Sequence, residues 1–148
     1  MDDRALAFIG QNPGASMITL RRDGTSHAVR VGVAVVDGKI WSSGTQTRLR
    51  TKHLRRDPRA TLFVFEGGPG AYRSLTLECT VTILDGPDAP ELNLRLMQKM
   101  QAGMPNPPQP GRVMWFGQEK TIEEFLKAMV DEQRLVYEFT VNRSYGMY

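Results

Sequence analysis

Between positions 74 and 84 apolar and polar residues alternate without a break, Leu75, Leu77, Cys79, Val81 and Ile83 on one phase and Ser74, Thr76, Glu78, Thr80 and Thr82 on the other. A period of two is the alternation of side chains across a β-strand, and a helix could not gather either set on one face. A strand this long with one polar face belongs in the wall of a curled antiparallel sheet or at a subunit interface. Other strand signals agree. Residues 16–20, 28–36 and 39–42 are rich in β-branched and apolar side chains and are separated by Asp23-Gly24 and Asp37-Gly38, the dipeptides of tight hairpins, so an antiparallel meander of three strands is expected. Residues 60–65 make a further strand, joined to 74–84 through Gly67-Gly68-Pro69-Gly70, and residues 135–141 make the last one.

Helical periodicity appears in four places. Residues 4–9 form a short amphipathic helix that ends at Gly10 and Asn12-Pro13-Gly14. After Gly44, Arg48, Lys52 and Arg55 share one helix face, and Asp57-Pro58 stops it. Leu92, Leu96 and Met100 recur every four residues within 90–101, and Thr121 with Glu124 spells a capping box that opens a helix from Ile122 to about Glu132. Residues 103–111 hold Pro105, Pro107, Pro108 and Pro110 and are expected to be a loop or lid. No repeat or linker divides the chain, so residues 1–148 read as one domain, a small antiparallel barrel with peripheral helices.

Composition narrows the function. With 41% hydrophobic and 24% charged residues the chain is an ordinary globular protein. It begins on the acidic Met1-Asp2-Asp3 and has no apolar run near the ~18 residues of a membrane span, so a cytoplasmic protein with no membrane span is expected. Cys79 alone forms no disulfide, and with only His27 and His53 beside it no metal site is expected. Its place on the apolar phase makes it a packing thiol before a nucleophile. Nucleotide and hydrolase motifs are absent, and Gly67–Gly70 lacks the Lys-Ser/Thr of a phosphate loop.

Charge is concentrated. Arg48, Arg50, Lys52, Arg55, Arg56 and Arg59 stand against Asp57 alone, although the whole chain carries only +3. So focal a charge suits a small anionic ligand and not the broad footprint of a nucleic acid. Ser42, Ser43, Thr45 and Thr47 precede it, placing hydroxyls and guanidinium groups at the first turn of a helix, where free backbone N–H groups also point outward. The pattern fits a phosphate-grade anion site, with Trp41 as a stacking surface for a planar ring; the alternative is a solvated basic helix face.

The stretch from Arg48 through Leu54-Arg55-Arg56-Asp57-Pro58-Arg59-Ala60, after the Asp-Gly hairpins and answered by Arg143-Ser144-Tyr145-Gly146, resembles the split β-barrel flavin/deazaflavin oxidoreductases related to pyridoxamine 5'-phosphate oxidase. Within them it is most similar to the actinobacterial B group that uses the deazaflavin coenzyme F420. The Pro-rich insert at 103–111 lies outside the shared pattern. The resemblance implies a six- or seven-stranded antiparallel split β-barrel with peripheral helices, and a homodimer with two cofactor sites at the subunit interface. It implies that Ser43, Arg48, Arg50 and Lys52 hold the cofactor's phosphate and acidic tail with His53 beside them, and that His27 and Arg30 contact the ring or ribityl chain. Tyr72 and Ser74 of the partner subunit, with Tyr145 and Met147, would border the ring and substrate pocket, Tyr145 being the candidate proton donor and Met104 or Trp115 further wall residues. For His27 a partly exposed strand histidine, and for Tyr72 plain packing, remain the alternatives.

The activity implied is a reductase that moves a hydride from reduced F420 to a conjugated, electron-poor acceptor such as an activated enone or quinone. Such chemistry asks the protein to position donor and acceptor and needs no nucleophile. F420 continues past its phosphodiester into a carboxylate-rich tail, and the basic segment carries more charge than one FMN phosphate needs. The alternatives are an FMN-dependent oxidoreductase or haem-handling member of the same barrel, and a carrier that binds a cofactor without turnover.

Overall fold

Tight turns set the sheet, because Asp37 and Gly38 both adopt left-handed backbone, with φ of 50° and 78°, as a two-residue hairpin turn requires. The computed structural model describes residues 1–148. In chain order the elements are α1 (Asp3–Gln11), β1 (Gly14–Leu20), β2 (Ser26–Gly32), β3 (Ala34–Val36), β4 (Lys39–Thr45), α2 (Leu49–Arg56), β5 (Arg59–Phe65), β6 (Ser74–Leu84), α3 (Ala89–Ala102), β7 (Arg112–Trp115), β8 (Gln118–Thr121), α4 (Ile122–Asp131) and β9 (Arg134–Met147). Seven strands form one antiparallel sheet in the order β2-β1-β5-β6-β9-β4-β3, curled into a split barrel, and β7 with β8 makes a separate hairpin.

The three strands expected over residues 16–42 do not form one continuous meander. The run over 28–36 divides at Val33, whose N–H donates to the Pro13 carbonyl at 2.7 Å; β2 then pairs with β1, and β3 pairs with β4. One nearly continuous strand thus serves both edges of the sheet, and this hand-over draws the curled sheet toward closure. The last strand also runs past Val141 to Met147, pairing with β6 along its length. A bulge makes this possible. Glu78 pairs with Arg143 and Cys79 with Val141, so Asn142 is the extra residue, and its Nδ2 donates to Thr80 Oγ1 at 2.9 Å.

The apolar phase of β6 faces the barrel interior. Leu75 and Leu77 are fully buried there with Met17, Leu62, Leu135 and Tyr137, and Ala5, Phe8 and Ile9 of α1 pack onto the same cluster. Burying a side chain of this size contributes about 1.5–3 kcal/mol. Cys79 lies in this cluster, and burial pushes its thiol up to about 12, which leaves it a packing group. A second cluster joins Trp41 and Val136 to Leu96 of α3. Trp41 is therefore no open stacking surface: it is buried, and its indole N–H donates to Glu138 Oε2 at 2.9 Å. The capping box is complete, with Thr121 Oγ1 accepting from the Glu124 N–H and Glu124 Oε1 from the Thr121 N–H. Residues 103–111 contain neither helix nor strand.

Candidate functional site

At the corner between β4 and α2 the chain is pinned by hydroxyls. Thr51 Oγ1 donates to the Thr45 carbonyl at 2.6 Å and is also bonded to the buried Tyr137 hydroxyl, while the Thr45 and Thr47 hydroxyls meet at 3.2 Å. Glycine is required at 44, because any side chain there would overlap the Tyr137 ring. The turn leaves Arg48 as the N-cap of α2, so the N–H groups of Leu49 and Arg50 have no intrahelical acceptor, while that of Thr51 donates to the Arg48 carbonyl at 3.1 Å.

A cleft of about 590 Å³ opens at this corner, lined by His27, Thr45, Thr47, Arg48, Leu49, Arg50, Glu132 and Arg134 among others. The Arg50 guanidinium lies 5.7 Å from the centre of the Tyr137 ring, with Nη2 at 3.4 Å from the Ser43 carbonyl. Its Nε is buried without a partner, and so is Nδ1 of His27. A buried polar group left unmatched costs about 1–3 kcal/mol, and both of these nitrogens belong to residues that line the cleft. Burial lowers the Arg50 pKa from its usual value, and the neighbouring charges of Arg48 and Arg134 push the same way. Behind His27, His53 meets it edge-on at 5.1 Å and shares a 2.9 Å hydrogen bond with Thr19 Oγ1. Burial first, then His27 and nearby arginines, lower the His53 pKa, so this ring is neutral at pH 7.

The expected site residues divide into groups. His27, Arg48 and Arg50 line the cleft, and His53 backs it. Ser43 sits at the same corner, but its hydroxyl bonds Asn93 Oδ1 of α3 at 2.6 Å. Lys52 is exposed on α2 and forms no ion pair. Arg30 lies on the opposite phase of β2 from His27, with its guanidinium against Gly14. Tyr72, Ser74, Tyr145 and Met147 gather elsewhere, on and beside the outer face of β6 and β9, where Ser74 pairs with Met147 and Thr76 with Tyr145. Tyr72, Tyr145 and Met147 are exposed there beside the stacked rings of Phe63 and Phe65. Within one chain this face and the cleft are separate; Trp115 adjoins the cleft through Glu132, and Met104 is exposed on the Pro-rich loop.

Half of the basic segment is structural. Arg55 pairs with Asp85 at 2.9 Å, Arg56 donates to the Leu20 carbonyl, and Arg59 pairs with Asp57 at 2.8 Å, holding that carboxyl at about 2. Arg134 and Glu132, which sequence reasoning missed, complete the cleft. Their only signal was a charged pair at a helix-to-strand junction, which many chains carry without consequence.

The chain is a member of the pyridoxamine 5'-phosphate oxidase family, whose profile matches residues 1–145. Among solved structures it is similar to the conserved hypothetical protein Rv2991 of Mycobacterium tuberculosis, with a TM-score of 0.77 and 19% identity over 99% of this chain and 84% of that one. An F420 reductase superposes with a TM-score of 0.64 and 15% identity over 94% of both chains. HutZ, the haem storage protein of Vibrio cholerae, gives 0.67 and 10% identity over 99% of this chain and 94% of that one. No curated protein matches the sequence.

Proposed function

We propose that this chain is an F420-dependent reductase that acts as a homodimer and delivers a hydride to a conjugated, electron-poor acceptor such as an activated enone or quinone. The observation that carries the reading is the cleft at the β4–α2 corner, with its unpartnered Arg50 Nε and His27 Nδ1. The unmatched Arg50 donor and the crowded guanidinium groups fit a group that ends in a phosphodiester and carboxylates better than one ending in a single phosphate. Arg48 and Arg50 would hold the phosphate at the start of α2, with Lys52 on the outer flank and the Ser43 carbonyl fixing Arg50. His53 holds the His27 ring in place and, being neutral, adds no positive charge of its own.

When bound, reduced deazaflavin supplies the hydride. The protein's own work is to bind, to orient and to manage the proton that must follow. In a dimer, Tyr72 and Ser74 of the partner subunit, with Tyr145 and Met147, would wall the acceptor pocket, and the half-exposed Tyr145 would be the candidate proton donor. Arg30, with His27, would contact the ring or ribityl chain from β2.

Turnover tests the reading. The protein is mixed with reduced F420 and a panel of enones and quinones, and deazaflavin absorbance is followed as it returns on oxidation. Acceptor-dependent return, abolished or slowed in Arg50→Ala, is expected. Tight binding without turnover would instead make the chain a carrier, and activity with reduced FMN alone would move it to the flavin branch.

A further inference from the structure

Two of the three arginines in the cleft come from the β4–α2 corner, and the third arrives from the far end of the chain. Arg134 opens β9 opposite Thr45 of β4, which sets its side chain on the same wall of the cleft. That side chain is only 8% exposed. Glu132 Oε1 accepts from its Nε at 3.0 Å and faces its Nη2 at 2.9 Å, whereas no protein acceptor meets Nη1. The β7–β8 hairpin grips the pair. Trp115 places its ring 4.8 Å from the guanidinium and donates its indole N–H to Glu132 Oε2 at 3.0 Å, and Phe116 adds a second ring at 5.9 Å.

The hairpin accepts a cost to do this. Phe116 takes left-handed backbone at φ 48° and leaves its ring 77% exposed, an arrangement that disfavours a bulky residue by about 1–2 kcal/mol. Its visible contacts are with Trp115 and Arg134. Aromatic faces on a buried guanidinium fix its direction while leaving its in-plane donors free. Three guanidinium groups then converge on one cleft against the single carboxylate of Glu132. Glu132 offsets one of the three charges, and an anion in the cleft would offset the others.

We infer that Arg134, braced by the β7–β8 hairpin, is a third anion-binding group, and that it extends the cleft into a site for a ligand carrying several separated negative charges. The inference rests on the anion-site reading above and deepens it: Arg134 is what would select a phosphodiester followed by carboxylates over one terminal phosphate.

Calorimetric titration of the whole chain with inorganic orthophosphate and with tripolyphosphate tests this. Wild type should bind tripolyphosphate at least about tenfold more tightly, the size of one charge-assisted contact. Arg134→Gln should erase most of that margin while orthophosphate affinity changes less than about twofold. Glu132→Gln, which keeps Arg134 and removes its competing carboxylate, should tighten tripolyphosphate. An unchanged margin in Arg134→Gln, or weaker tripolyphosphate binding in Glu132→Gln, overturns the inference, and the second variant decides alone where circular dichroism shows the first unfolded. A parallel F420 titration separates the two readings. Arg134-dependent tripolyphosphate binding without F420 binding sinks the cofactor and leaves the anion subsite; F420 binding equal in wild type and Arg134→Gln sinks the subsite and leaves the cofactor.

Discussion

Arg50 holds a buried guanidinium nitrogen with no partner, in contact with Tyr137 and crowded by two other arginines. Such a residue destabilises the free protein and is repaid when an anion arrives, so Arg50→Ala should weaken cofactor binding by about 1–3 kcal/mol and leave the circular dichroism spectrum intact. Lys52→Ala should act in the same direction and less strongly, because Lys52 is solvated. His53 makes a prediction of opposite kind. Its pKa is lowered in the fold, so the native state binds fewer protons than the unfolded chain; stability is full above the unfolded value of about 6.5 and is lost as pH falls toward and through the folded pKa. Thermal melts should show Tm dropping on acidification below about pH 6.5, and His53→Gln should flatten that slope. Arg48 and Arg50 were legible in the sequence as members of a basic run. That Arg55, Arg56 and Arg59 serve the fold was not, since Asp85 and the Leu20 carbonyl lie far from Arg55 and Arg56 along the chain.

The elements best read from sequence are those with a local cause. Strict alternation in β6, the Asp37-Gly38 turn and the Thr121–Glu124 capping box each need only neighbouring residues, and each formed as expected. Thr121→Ala removes the acceptor for the Glu124 N–H and should lower unfolding free energy in urea by about 1 kcal/mol. What escaped was set by partners distant in sequence. The break at Val33 exists because the sheet curls, and the extension of β9 to Met147 exists because β6 offers a ladder past the bulge at Asn142. The β7–β8 hairpin escaped for another reason. Its strands are four residues each, the second wholly polar, and turn through Phe116-Gly117, whose first residue rarely takes left-handed backbone.

At the scale of the whole molecule the outer face of β5, β6 and β9 presents Phe63, Phe65, Tyr145 and Met147 together, with Tyr72 beside them. The homodimer proposed above would cover these side chains while bringing Tyr72 and Ser74 of the partner subunit toward the cofactor site. Sedimentation should give a dimer for wild type, and Phe65→Glu should shift it to monomer and weaken cofactor binding together. Barrel and basic corner were open to sequence reasoning; the pairing of that corner with Arg134 was not, because it depends on where β9 begins. On the proposed function, the corner at Arg48 and Arg50 holds the acidic end of F420. The most direct test is a side-by-side fluorescence-quenching titration of wild type and Arg50→Ala with oxidised F420 and with FMN at moderate salt. Tighter binding of F420 than of FMN, lost in Arg50→Ala, is the predicted result, and preference for FMN, or F420 binding indifferent to Arg50, would contradict it.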